Sequence, residues 1–103
     1  MHRFLMSSVL AALAASPLSA NDGWLTNMDE AMAQAAREGK HILMDFTGSD
    51  WCGWCIKLRD EVFSKDVFIK DAPTNFVLVE LDFPAQKELS EEQKAHNQQW
   101  AEK

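Results

Sequence analysis

Apolar residues recur at positions 28, 31, 32 and 35, in a stretch that opens on Asn27 with Glu30 three places later and stops at Gly39. This spacing predicts a helix with one apolar face, a capping side chain at its start and a glycine at its end. The period then changes. Residues 40–47 (Lys-His-Ile-Leu-Met-Asp-Phe-Thr) form a short, mostly apolar run expected to be the central strand of a sheet. Helical periodicity returns from Cys55 to Phe63. Ser64 and Asp66 are expected to start a brief turn through Phe68, Ile69 and Ala72, and residues 71–75, with Pro73, read as a loop turn. Residues 76–83 (Phe-Val-Leu-Val-Glu-Leu-Asp-Phe) are rich in β-formers and predict a second strand. Ser90 followed by Gln93 signals a polar helix over residues 90–103, with Trp100 as its one large apolar anchor, and Trp24-Leu25 predicts a short edge strand. A strand–helix–strand succession implies a right-handed parallel crossover. The loop after the first strand then lies at the carboxyl edge of the sheet, where sites of α/β folds collect.

The first twenty residues pattern differently. Met1-His2-Arg3 is a short, weakly basic start, residues 4–15 are mostly apolar, and Ser16-Pro17-Leu18-Ser19-Ala20 is a small-residue stretch. Together they predict a secretory signal peptide over residues 1–20, cleaved after Ala20, followed by one small domain over residues 21–103. An uncleaved membrane anchor is the alternative. The chain carries 10 basic and 16 acidic residues, a net charge of −6, which argues against nucleic acid as a partner.

The two cysteines give this outline its chemistry. Trp51-Cys52-Gly53-Trp54-Cys55 follows the first predicted strand and opens the next predicted helix. Residues three apart on a helix share a face, so Cys52 and Cys55 can close a disulfide within the Cα separation such a bond tolerates. Unpaired amides at a helix start favour a thiolate and lower the cysteine pKa from about 8.5 toward roughly 3.5–7.5. Cys52, at the exposed lip, is expected to be the attacking thiolate, and Cys55, facing back toward the sheet, the resolving thiol. Gly53 admits a close-lying partner chain, while Trp51 and Trp54 supply an apolar flank for docking. With no charge between the cysteines, the pair reads as reductase or isomerase rather than strong oxidant. A structural disulfide and a zinc site drawing on His41 and His96 are the competing readings. A c-type haem site is excluded because Ile56, not histidine, follows Cys55. Otherwise His41 and His96 read as surface or strand-end residues, Lys57 as part of a solvated helix face, and residues 87–92 as a solvated charge run.

The stretch from Ile42 through Asp45, Gly48-Ser49-Asp50 and Trp51-Cys52-Gly53-Trp54-Cys55, with Lys57, Leu58, Glu61, Val62 and Phe63 beyond it, resembles the thioredoxin superfamily, in particular secreted thioredoxin-like proteins of bacteria. The resemblance covers residues 24–103. It implies an α/β, three-layer α/β/α thioredoxin-like fold with a dithiol/disulfide site at Cys52 and Cys55. It also implies a role for Asp45, which matches the buried aspartate that helps move the resolving cysteine's proton. The loop before Cys52 holds one residue more than in thioredoxin. Neither Pro73 nor Pro84 matches the cis-proline facing the dithiol in that family. The N-terminal βαβα half is therefore expected to be present, and the C-terminal half of cis-proline loop, β-hairpin and helix to be missing, as in a truncated chain.

These readings combine into an expected protein-disulfide reductase or isomerase, acting without cofactor or metal in the periplasm or outside the cell. Its expected partners are disulfide-containing or dithiol proteins and an upstream electron donor, with no membrane partner if the leader is removed. Two alternatives remain at this level: a redox-inert peptide-binding module, and a fragment that does not fold alone.

Overall fold

The computed structural model describes residues 23–103, and the leader and its cleavage site lie outside the described residues. Helix α1 (Met28–Glu38) forms as its pattern predicts. The Asn27 side chain accepts the Glu30 N–H at 2.9 Å. Gly39 ends the helix at φ 67°, a left-handed conformation that suits glycine. Strand β1 (His41–Thr47) follows, then α2 (Gly53–Leu58), α3 (Asp66–Asn75), β2 (Phe76–Asp82) and α4 (Glu91–Ala101).

Strands β1 and β2 pair in parallel, from His41 opposite Phe76 to Thr47 opposite Asp82. Leu25 bridges the other edge of β2, its N–H donating to the Leu78 carbonyl and its carbonyl accepting from Glu80, both at 2.8 Å. Among the described residues β2, not β1, is therefore the middle strand, which corrects the expectation for residues 40–47. The reason is that β2 is paired on both edges, by β1 and by Leu25, and its burial follows. Val77, Val79 and Leu81 are enclosed, whereas β1 is only half-buried and Phe46 is exposed.

Side chains alternate between the faces of a strand, and the two faces of this sheet differ sharply. Val77, Val79 and Leu81 pack on Met28, Ala31 and Ala35 of α1, with Ile42, Met44, Phe83 and Trp100 around them. The other face carries Asp45, Thr47 and Glu80 toward α2, α3 and the turn between them. Trp24, Phe63 and Phe68 close that side, with neighbouring ring centroids 4.9–5.0 Å apart. Helices thus cover both faces, giving the expected three layers.

Three local expectations are corrected. The helix expected over residues 55–63 starts two residues earlier, as α2 over Gly53–Leu58, and continues as a widened π turn, Arg59–Phe63, in which Ser64 N–H reaches the Arg59 carbonyl at 2.9 Å. Residues 71–75 are not a loop turn. They complete α3, with Pro73 inside it. A proline in a last turn removes a single helical N–H, and the Lys40 ammonium donates to the Pro73 carbonyl at 2.7 Å. His96 is not an ordinary surface residue. Its Nε2 accepts the Met28 N–H at 3.0 Å, which leaves Nδ1 to donate to Asn97 Oδ1 at 2.8 Å. Asn97 is only 2% exposed and donates from Nδ2 to the Asp82 carbonyl at 2.9 Å. Helix α4 is thus docked by a polar network as well as by Trp100, which its polar sequence pattern did not reveal.

Candidate active site

Cys52 and Cys55 are joined in a disulfide with their Cα atoms 5.2 Å apart. Cys52 is the N-cap of α2, with extended backbone at φ −85° and ψ 103°. Its sulfur accepts the Cys55 N–H at 3.2 Å, and its carbonyl accepts the Ile56 N–H at 2.9 Å. A helix-start amide therefore points at sulfur 52, as the spacing of the two cysteines implied.

Behind the pair lies a cavity of about 240 Å³. Cys55 and Asp45 both line it, with Trp24, Glu80, Arg59 and Phe63. Arg59 and Phe63 are the two ends of the π turn. Widened turns of this kind often re-aim side chains at functional positions. Asp45 is half-buried. Its carboxyl is held above the ordinary carboxylate range, first by desolvation and second by the charge of Asp82.

The loop between β1 and the dithiol is tied to the chain leaving β2. Ser49 donates from its N–H to Asp82 Oδ1 at 2.9 Å, and its hydroxyl donates to Oδ2 of the same carboxylate. Trp51 donates from its indole N–H to the Phe83 carbonyl at 2.7 Å. Asp50 accepts the N–H groups of Ala85, Gln86 and Lys87 at 2.7, 2.8 and 2.8 Å. Those three donors hold the Asp50 carboxyl below its ordinary value. Lys87, expected in a solvated charge run, thus bonds Asp50 through its backbone, and its ammonium lies 4.0 Å from Asp82.

Trp51 and Trp54 are 61% and 80% exposed, and the Lys57 ammonium sits 5.3 Å from the Trp54 ring centroid. A Cβ on Gly53 would meet nothing within 4 Å, so that side of the sulfurs is open. Gly48 is the opposite case: a Cβ there would overlap the Trp51 indole. Gly48→Ala is expected to destabilise the protein by about 1–3 kcal/mol through overpacking, read as a lower midpoint in urea unfolding.

The structure thus brings Cys55 and Asp45 together on one cavity, with Trp51, Cys52, Gly53 and Trp54 in the adjoining loop and helix start. Sequence reading missed Ser49, Asp50, Arg59, Glu80 and Asp82. The available signal was the alternation Val79-Glu80-Leu81-Asp82, which puts two carboxylates on one face of an otherwise apolar strand.

A family model described as thioredoxin-like matches residues 23–100. The chain belongs to the thioredoxin-like family. It is 36% identical over 83 residues to a protein of Chlamydia pneumoniae named disulfide bond reductase DsbH, a match that covers 81% of this chain and 50% of that protein. It is 35% identical over 81 residues to the thioredoxin-related protein DsbJ of the same organism, covering 77% of this chain and 23% of that one. A solved structure titled DsbH oxidoreductase superposes with a TM-score of 0.72 at 34% identity, covering 85% of this chain and 61% of that chain. This thioredoxin-like chain therefore spans about half the length of the first of these relatives and under a quarter of the second.

Proposed function

We propose that this thioredoxin-like chain is a thiol–disulfide oxidoreductase that reduces or isomerises disulfides of extracytoplasmic proteins through Cys52 and Cys55. The observation that carries the reading is the stacking of parts: sulfur 52 capped by a helix-start amide, with Cys55 behind it on a cavity shared with Asp45. The similarity to a protein named a disulfide bond reductase supports the same reading.

In the reduced protein the Cys52 thiolate attacks one sulfur of a substrate disulfide. An S–S bond forms between Cys52 and that sulfur, the substrate S–S bond breaks, and the other substrate sulfur leaves as a thiolate that takes up a proton. Cys55 then gives its proton to the Asp45 carboxylate and attacks sulfur 52. The Cys52–Cys55 disulfide forms, and the second substrate sulfur leaves as a thiolate and is protonated. Two electrons and two protons pass from the dithiol to the substrate. The structure holds the oxidised product of this step, and a dithiol donor protein would return it to the reduced state.

Export by the predicted leader fits this chemistry, because substrate disulfides persist outside the cytoplasm. Among the described residues no helix is long and apolar enough to cross a membrane. The exposure of Trp54 favours a second reading, a peptide-binding module without redox activity. Insulin reduction separates the two. Wild-type turnover is expected, with Cys52→Ser at the uncatalysed background; equal rates for both proteins would overturn the proposal.

A further inference from the structure

Asp50 is exposed, yet its carboxylate is fully engaged by three consecutive backbone amides. Those amides belong to residues 85–87, in a segment without helix or strand between β2 and α4. Carboxylate-to-amide bonds of this kind are charge-assisted and stronger than neutral ones. The attachment of the loop to β2 does not depend on them: Ser49 to Asp82, Trp51 to Phe83 and the Phe83 N–H to the Thr47 carbonyl already hold it. What Asp50 adds is the outward reach to residues 85–87, from a position two residues before Cys52.

We propose that Asp50 is a positioning residue that fixes residues 84–87 as one wall of the docking surface beside Cys52, and so governs how readily a protein disulfide, compared with a small one, reaches that sulfur. The inference rests on the oxidoreductase reading above. A small disulfide needs only a path to one sulfur. A protein disulfide must lay chain across the surrounding rim, and a mobile wall there costs ordering that a fixed wall has already met.

The test uses the full chain and two variants, Asp50→Ala and Asp50→Asn. Amide hydrogen exchange is followed at residues 85–87. Reduction rates are measured with insulin and with oxidised glutathione, and the insulin-to-glutathione ratio is the functional readout. Asp50→Ala is expected to speed exchange at all three amides and to lower that ratio about tenfold, the scale of ordering a rotamer-rich group at an interface. Asp50→Asn keeps one acceptor oxygen and is expected to fall between. It also carries the comparison if the alanine variant does not melt cooperatively. Unchanged exchange in both variants would overturn the latch, and faster exchange at an unchanged ratio would overturn its role in docking. A wild-type protein inactive on both disulfides would instead sink the oxidoreductase reading, while exchange at 85–87 would still decide whether the carboxylate holds the loop.

Discussion

Replacing Cys55 with serine is expected to leave a protein that attacks a disulfide once and then stops. Cys52 keeps its place at the N-cap of α2, and the amide that points at its sulfur belongs to the backbone of residue 55, which the substitution preserves. The first exchange therefore proceeds. The second cannot, because a serine hydroxyl is not ionised at neutral pH and does not displace a thiolate from sulfur. Turnover should fall to background while a mixed disulfide accumulates, visible as a mass increase that a reductant reverses. Cys52→Ser should lose activity without any such adduct. If the two variants behaved alike, the assignment of attacking and resolving sulfurs would be wrong.

Asp45→Asn should slow the resolving step and stabilise the protein. If Asp45 takes the proton of Cys55 across the cavity they share, its loss removes general base catalysis worth about 10²-fold or more. Release of the second product is the step to measure. The stability effect follows from linkage. Burial, and then the charge of Asp82, raise the Asp45 pKa in the folded protein. Between the unfolded value and that raised value the native state binds more protons than the unfolded one, so stability falls as pH rises through the window. Asparagine removes that loss. The variant should therefore melt higher than wild type at pH 7, with the difference vanishing below the ordinary carboxylate pKa of about 3.9. A melting difference independent of pH would show that the Asp45 carboxyl is not perturbed by its surroundings. Other charged side chains face the same region: Glu80 and Arg59 line the cavity, and the Lys87 ammonium lies 4.0 Å from Asp82.

Much of the site was legible in the chain because its signals are local. The cysteine spacing, the strand before it and the caps at Asn27 and Ser90 depend on residues within a few positions of one another, and all four are present in the structure. Resemblance rather than periodicity singled out Asp45. Its shared cavity with Cys55 came from the pairing of the strands. Pro73 misled because proline signals a break, whereas the last turn of α3 gives up only one donor. His96 and Asn97 misled because a polar helix reads as solvated, and only the docked partner shows which polar groups are satisfied internally. The alternation in β2 marked Glu80 and Asp82 as facing away from the apolar core, but nothing near Asp50 or Asp82 in the chain showed what they bind. Their partners lie more than thirty positions away.

The two strands, α1, α4, the dithiol and its place at a strand–helix junction were determined by sequence alone, because backbone propensity and side-chain spacing act over one or two turns of chain. Which strand is paired on both edges, which carboxylates share a cavity with Cys55 and which segment Asp50 binds were decided only by tertiary structure. Those depend on the register between β1 and β2 and on hydrogen bonds across long loops, and neither leaves a periodic trace in the order of residues.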